Sequence, residues 1–203
     1  HLFPTSNIPH DSMEELTPML RQYRMMKQEI DEDVILLFRV GDFYEIFMED
    51  ARIAAPLLGI TLTKRAGQPL CGIPHHALDS YLAKLLKIGR KVAICDQMED
   101  PKLCKGKMVR RDITRIITPG TITEENILQD GSCNYIVAAR PAGNGAFCLV
   151  ALDLSTGEFF CEQTEDLNAL AASIGRLAPG EAIVPQCAKP TSEDLQIETA
   201  FHS

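Results

Sequence analysis

Several features that are common in other classes of protein are missing from this 203-residue chain. It has no tryptophan, and aromatic residues make up only 6% of it. No apolar run approaches the about 18 residues needed to cross a bilayer, and the chain does not open like a secretory signal. Its seven cysteines include no C-x-x-C pair, a pattern that fits neither a disulfide framework nor a zinc site. These absences predict a soluble, cytoplasmic protein without a membrane partner.

Motifs for nucleotide chemistry are absent as well. The sequence contains no G-x-x-x-x-G-K-[ST], the loop whose backbone amides and lysine cradle nucleotide phosphates. We therefore predict that this segment does not hydrolyse ATP and is not an enzyme. We also expect no catalytic residues, no metal ligands and no cofactor within it.

The net charge of −8 is unevenly distributed along the chain. Residues 1–119 hold 17 Lys and Arg against 16 Asp and Glu, whereas residues 120–203 hold 3 against 12. Within the first part, residues 84–115 carry ten bases against four acids. This contrast predicts two modules with different partners, and the basic stretch is either a phosphate-contacting surface or an ordinary solvated face.

Hydrophobic periodicity predicts an α/β module in the first part of the chain. Apolar residues at helical spacing predict a helix from residue 13 to the acids at 31–33, and residues 34–40 form a nearly unbroken β-prone run. A second extended segment at 43–47 and a helix ended by Gly59 follow. We then expect a strand at 60–63, a loop at 64–76, a helix at 77–88, and strands at 92–96 and 108–118.

The second part of the chain has a different pattern. Residues 120–131 carry turn residues at both ends and acids between them, which predicts a linker. Three β-prone segments joined by P-A-G-N-G and S-T-G predict an antiparallel meander, followed by a helix at 166–177 and a strand at 181–184. We therefore divide the chain into a flexible lead (1–12), a first domain (13–119), the linker (120–131) and a truncated second domain (132–203).

The segment G-D-F-Y-E-I-F combines aromatic residues with a carboxylate. Side chains alternate along an extended segment, so Phe43, Glu45 and Phe47 share one face. Burying an unpaired Glu costs several kcal/mol, so either this face opens to solvent at its start or Glu45 has a basic partner. An exposed phenyl ring can wedge between bases, and a carboxylate beside it can accept a hydrogen bond from a base edge, or donate one when protonated. Unstacking costs less where a base pair is already mismatched.

Four motifs identify a family: F-R-V-G-D-F-Y-E-I-F-M-E-D-A, G-I-P-H-H-A-L-D-S-Y-L-A-K-L, V-A-I-C-D-Q and R-I-I-T-P-G-T. In this order and spacing they resemble the amino-terminal part of the MutS family of DNA mismatch-recognition proteins. The resemblance implies an α/β fold, with a mixed-sheet mismatch-recognition domain followed by a partial ribonuclease-H-like connector domain. It further implies that Phe43 stacks on a mispaired base from the minor groove and that Glu45 hydrogen-bonds to that base.

The resemblance also implies partners for the protein. These are double-stranded DNA with mismatches or small loops, a second subunit in a full-length homodimer, and downstream mismatch-repair proteins. ATP and magnesium are expected only in the full-length protein, whose ATPase lies further along the polypeptide, so this chain is expected to be an amino-terminal fragment. For contacts to the DNA backbone we choose Lys107, Arg110 and Arg111 first, and Lys64 and Arg65 second.

Other interpretations remain open at this point. A metal-dependent nuclease is the main alternative, because Asp153 lies where ribonuclease-H-like enzymes carry a catalytic acid, but two-metal chemistry needs several converging acids. Another possible acid set is Asp42, Glu45, Glu49 and Asp50, although acids that open a helix have a structural explanation. His75 and His76 are expected at a loop-to-helix junction, with DNA contact as the alternative. A protein-interaction scaffold with no role on DNA is a third possibility.

Overall fold

The computed structural model describes residues 16–99, 104, 109–123, 133–184 and 191–202. The described chain divides into two compact units. One comprises the residues up to Leu85 together with Lys91–Ile116, and the other comprises Leu86–Arg90 together with the residues from Ile117 onward. Within the described ranges, no helix combines the length and apolar character that crossing a bilayer requires.

The first unit is built on a six-stranded mixed sheet. Its strands are β1 (Val34–Val40), β2 (Phe43–Phe47), β3 (Thr63–Arg65), β4 (Gln68–Pro74), β5 (Lys91–Gln97) and β6 (Arg111–Ile117), in the spatial order β3-β4-β2-β1-β5-β6. Strand β1 is parallel to β5 and antiparallel to β2, which is antiparallel to β4. The helices are α1 (Pro18–Lys27), α2 (Met48–Leu58) and α3 (Leu78–Lys87). The mixed α/β fold predicted for this part is confirmed.

Helix α1 covers one face of this sheet. It begins with Pro18 at its first position, where the missing N–H is no loss, and Thr17 accepts a hydrogen bond from the backbone amide of Leu20. Its buried residues recur at helical spacing: Leu20, Tyr23 and Met26. The Tyr23 ring meets those of Phe38 and Phe47 edge to face, at centroid distances of 5.5 and 5.0 Å. The inner end of β2 is therefore fixed in the core.

Strand β2 begins immediately after a tight turn and runs through the middle of the sheet. Gly41 supplies the turn with a φ of 58°, which a residue with a side chain rarely adopts. Val40 and Pro74 lie directly opposite Phe43 on the two neighbouring strands. Both ends of the strand are therefore fixed by backbone pairing.

The second unit has a four-stranded sheet in the order β10-β7-β8-β9. Strands β7 (Tyr135–Gly143), β8 (Ala146–Asp153) and β9 (Phe159–Thr164) form the predicted antiparallel meander, and β10 (Glu181–Ile183) pairs parallel to β7. Helices α4 (Leu167–Leu177) and α5 (Ser192–His202) contribute Leu170, Ile174, Ile197 and Ala200 to its core. Asp166 caps α4 by accepting a 2.8 Å hydrogen bond from the Ala169 amide.

The turn T-P-G-T, where the linker was predicted to begin, is a packed part of the second unit. Residues Pro119–Thr121 form one turn of 3-10 helix. The side chain of Glu181 accepts hydrogen bonds from the Thr118 hydroxyl and from the Gly120 amide, the latter at 3.2 Å. Gly120 is buried against Glu181 and Ile136 so closely that no side chain fits there. The remainder of the predicted linker from residue 124 lies outside the described residues.

Two predictions of local structure were wrong. The strand expected at 60–63 and the loop expected at 64–76 are instead the hairpin β3–β4, which turns at Ala66 and Gly67 with φ of 48° and 78°. Gly and Pro were read as breakers there, but pairing of β4 with both β2 and β3 overrides that local tendency. Helix α5 was missed, although Thr191 and Asp194 form a capping arrangement at its start.

Candidate nucleic-acid interface

The outer end of β2 presents an aromatic ring to solvent. Phe43 is 49% exposed, whereas Phe47, four residues later on the same face, is fully buried. Alternation places both rings on one face, and they differ in exposure because α1 packs against the Phe47 end of that face. The ring of Phe43 is therefore accessible for contact with another molecule.

Glu45 lies on the same face, in a much more enclosed place. It is only 8% exposed, and its Oε2 forms an ion pair and hydrogen bond with Nη1 of Arg65. Gly72 lies opposite Glu45 on β4, and a Cβ at that position would approach the Glu45 side chain to 3.8 Å. Both explanations offered for Glu45 are therefore observed: its face opens to solvent at Phe43, and Glu45 has a basic partner in Arg65.

Opposing effects act on the pKa of Glu45. Burial raises the pKa and is the largest effect, while the charge and hydrogen bond of Arg65, and then the charge of Arg111, lower it. The net result is a pKa above the usual value for a glutamate. Glu45 is therefore expected to become protonated at a higher pH than an exposed glutamate does.

An open depression of about 410 Å³ adjoins these two residues. Its lining is formed by Phe43, Glu45, Thr61, Thr63, Leu70, Cys71 and Gly72. The depression is bounded by the β3–β4 hairpin on which Arg65 lies. A planar group that contacts the Phe43 ring could therefore reach the Glu45 carboxylate.

The predicted phosphate contacts differ in their surroundings. Lys64 is exposed in β3, and Arg110 is exposed with its guanidinium 2.7 Å from Asp112. Arg65 has a half-exposed side chain that is engaged with Glu45. Lys107 lies outside the described residues. Among the described members of the predicted set, Lys64 and Arg110 are thus exposed without an ion pair to Glu45.

Arg111 has a structural environment that the sequence did not indicate. It is only 6% exposed, and its guanidinium lies 4.8 Å from the centre of the Phe38 ring. It donates hydrogen bonds to the backbone oxygens of Arg39 and Val109 and to the side chain of Gln22. Nε and Nη1 are thus occupied by the protein, so Arg111 is a less accessible phosphate contact than Lys64 or Arg110, and its contact with DNA stays a prediction.

The acids considered for a metal site have other roles. Asp50 is buried and binds the protein's own groups, while Glu49 is exposed and pairs with Arg52 one turn along α2. The backbone oxygen of Asp42 accepts a 2.9 Å hydrogen bond from the His75 amide. Among the described residues, no group of three or more His, Cys, Asp or Glu side chains could hold a metal ion.

His75 and His76 lie in one turn of 3-10 helix, His75–Ala77, directly before α3. Their predicted position at the start of a helix is therefore confirmed, but strand β4 precedes them where a loop was predicted. The two rings meet edge to face with their centroids 5.8 Å apart.

Asp153, the acid on which the nuclease interpretation depended, serves as a hydrogen-bond acceptor for the β8–β9 turn. Its Oδ1 accepts from the amide and hydroxyl of Ser155, at 2.8 and 2.6 Å, and from the Thr156 amide at 3.3 Å. Its Oδ2 accepts from the Asn134 amide at 3.0 Å. Burial alone would raise the pKa of Asp153, but these hydrogen bonds outweigh it and lower the pKa.

We expect the Asp153→Asn substitution to lower the free energy of unfolding of the second unit by about 1–2 kcal/mol. The new side-chain N–H₂ would face backbone amides or a hydroxyl that donate as well, so those donors would lose an acceptor. The pKa of Asp153 is lower in the folded protein than in the unfolded chain, where it is about 4. The contribution of Asp153 to stability is therefore fully present above the pKa of the unfolded chain, and it is lost as the pH falls through the pKa of the folded protein. Urea unfolding at pH 7 and at pH 3 measures both effects. Equal stability of the variant and the parent at pH 7 would contradict this role.

Sequence reasoning missed the pairing of Arg65 with Glu45. The two residues are 20 positions apart, and the pairing depends on the β3–β4 hairpin that was read as a loop. The Ala66-Gly67 turn between two short extended segments was the signal that could have indicated the hairpin.

Two models of known protein families match the chain. MutS domain I matches residues 17–126, and MutS domain II matches residues 134–201. The relatives include a DNA mismatch repair protein MutS from Caldicellulosiruptor bescii, 47% identical over 178 residues, which are 85% of this chain and 20% of that protein. Proteins of the same name from Desulfitobacterium hafniense and Methanothrix thermoacetophila are 46% identical over 187 residues and 48% identical over 179 residues. Those matches cover 90% and 85% of this chain, and 21% and 20% of the two relatives. The chain thus spans about a fifth of the length of the curated relatives it matches.

Proposed function

The chain belongs to the MutS family, and from this premise we propose that it recognises mismatched or unpaired bases in duplex DNA through Phe43 and Glu45. The observation that carries the proposal is the accessible ring of Phe43, 49% exposed at the end of an otherwise buried strand. In this role the ring enters the duplex from the minor groove and stacks on the mispaired base. Glu45 then forms a hydrogen bond with the edge of that base.

In this proposal, the protein distinguishes mismatched from perfect duplexes by how easily their base steps open. Stacking of a base on an aromatic ring contributes about 1–3 kcal/mol, whereas opening a base step costs a few kcal/mol. A mismatched or unpaired base has lost part of its stacking and pairing already, so the cost there is smaller. The ring therefore enters weak steps more readily than intact ones.

Non-specific affinity comes from contacts with the DNA backbone. Lys64 and Arg110 are exposed members of the predicted set, and we propose that they bind phosphates. Each phosphate contact releases counterions, so the affinity should fall as the salt concentration rises. A protein-interaction scaffold with no role on DNA would have no such salt dependence.

The proposal extends to the longer protein that carries this segment. We propose that it acts in DNA mismatch repair in the cytoplasm, as a homodimer that depends on ATP and magnesium bound outside this segment. The second unit acts as a connector towards further domains and towards downstream repair proteins. Its net negative charge suits contact with protein better than contact with DNA.

Replacing Phe43 by alanine tests the recognition step. We expect the full-length Phe43→Ala protein to lose affinity for a mismatched duplex by about tenfold or more, the equivalent of one stacked base, with little change on the perfect duplex. Titration of labelled duplexes by fluorescence anisotropy measures both affinities.

The matched control for this experiment is Phe159→Ala, which removes a 62% exposed phenylalanine from the second unit. We expect this control to bind both duplexes as the parent does. An equal loss of affinity on the mismatched and perfect duplexes with Phe43→Ala would refute insertion of the ring.

A further inference from the structure

Arg65 is the hydrogen-bond and ion-pair partner of the Glu45 carboxylate. Only Arg65, among the described residues, donates a hydrogen bond to it, and the bond goes to Oε2. The other carboxylate oxygen, Oε1, therefore remains available as an acceptor. Arg65 thus holds the carboxylate through Oε2, and Glu45 also lines the depression beside Phe43.

In the part of the chain that the structure describes, no second side chain donates a hydrogen bond to Glu45. In the sheet, the residues directly opposite Glu45 are Phe38 on β1 and Gly72 on β4, and neither can titrate. Arg111, from β6, lowers the pKa of Glu45 by its charge, but its donors go to the backbone oxygens of Arg39 and Val109 and to Gln22. Among the residues that the structure describes, the charge-assisted hydrogen bond thus comes from Arg65 alone.

The two proton states of Glu45 would recognise different bases. An ionised carboxylate is only an acceptor and needs a base that offers an N–H, such as the N3–H of thymine. A protonated carboxyl can donate to a ring nitrogen that is an acceptor. Burial favours the protonated state and Arg65 favours the ionised state.

We propose that Arg65 is a specificity-determining residue, which pairs with Glu45 and keeps it in its acceptor form, so that the site selects unpaired bases offering an N–H group. This inference rests on the proposed capture of a base by Phe43 and Glu45. Arg65 need not touch the DNA for this role, because it acts through the carboxylate. Its half-exposed position on the hairpin β3–β4 allows it to stay paired while a base approaches from the Phe43 side.

The first experiment needs no DNA. The carboxyl carbon of Glu45 is followed by ¹³C NMR during a pH titration of the chain and of its Arg65→Gln, Arg65→Lys and Lys64→Gln variants. We expect the titration of Glu45 to move to higher pH in Arg65→Gln and to return towards that of the parent in Arg65→Lys. Lys64→Gln removes the neighbouring charge of the same strand and should leave the titration nearly unchanged. A titration that is the same in Arg65→Gln and the parent would overturn the inference.

The second experiment measures selectivity in the full-length protein. One duplex carries an unpaired thymine, which offers an N–H, and the other carries an unpaired deoxynebularine, a purine whose ring nitrogens only accept. We expect the parent to prefer thymine, and Arg65→Gln to reduce the ratio of the two affinities by about tenfold, the effect of one charge-assisted hydrogen bond. Arg65→Lys should restore most of the ratio, because it keeps a cationic donor.

Loss of affinity for both duplexes by the same factor would show that Arg65 is only a phosphate contact or a structural residue, and would overturn the inference. Failure of the proposed function would give a different set of results. In that case Phe43→Ala would weaken mismatched and perfect duplexes equally, while the titration of Glu45 would still respond to Arg65→Gln. The experiments can therefore contradict the role of Arg65 and the capture of a base by Phe43 independently of each other.

Discussion

The Asp50→Ala substitution is expected to lower the free energy of unfolding of the first unit by about 3–5 kcal/mol, the usual cost of removing one partner from a buried charge pair. Asp50 is 5% exposed and is the common partner of three groups. Its Oδ2 accepts from the Leu36 amide at 2.9 Å and from the Tyr23 hydroxyl at 3.1 Å, and its Oδ1 lies 3.0 Å from the Lys27 ammonium. Alanine would leave all three without that acceptor. Urea unfolding followed by circular dichroism, with hydrogen exchange at the Leu36 amide, measures the loss.

The adjacent residue offers a matched control for this prediction. Glu49 lies in the same first turn of α2, but its pairing with Arg52 is between exposed side chains at 3.6 Å. Glu49→Ala should therefore change the free energy of unfolding by less than about 0.5 kcal/mol. If the two alanine variants were equally stable, Asp50 would not anchor α2 to β1 as described.

The Gly120→Ala substitution is expected to lower the free energy of unfolding of the second unit by about 3 kcal/mol, at the upper end of the usual cost of overpacking. A Cβ at this position would lie 2.5 Å from the side chain of Ile136 and 2.7 Å from the Cβ of Glu181. Relieving these contacts would displace Glu181, which accepts hydrogen bonds from Thr118 and Gly120. Thermal and urea unfolding of the variant provide the measurement.

Gly175 is the control for Gly120, because a Cβ there would meet nothing within 4 Å. It lies inside α4, where alanine is favoured over glycine by about 1 kcal/mol. We therefore expect Gly175→Ala to be neutral or stabilising. Equal losses in the two variants would mean that close packing at the T-P-G-T turn is not what requires a glycine.

Strong local patterns were sufficient for much of the fold. The unbroken apolar run of β1, the Gly41 turn and the helix ended by Gly59 specify their elements within a few residues of sequence, and the predicted β1, β2 and α2 are confirmed. The alternation of β2 likewise predicted one face shared by Phe43 and Glu45, and the family resemblance is confirmed by the comparisons.

The details that depend on distant residues could not be predicted in this way. Arg111 and Arg110 are neighbours in a basic stretch, yet only the first is buried, because its guanidinium packs on Phe38 of another strand. The pairing of Arg65 with Glu45 similarly depends on the hairpin β3–β4 and on the pairing of β4 with β2. Neither relationship is expressed in a local pattern.

The position of Phe43 has a mechanical consequence. Its backbone is held between Val40 and Pro74 on the flanking strands, and Phe47, at the other end of β2, is fixed under Tyr23. A closely packed interior of this kind is stiff and has little room to yield. In the insertion that we propose, the protein would therefore yield little around the ring, and the more flexible nucleic acid would take up most of the bending.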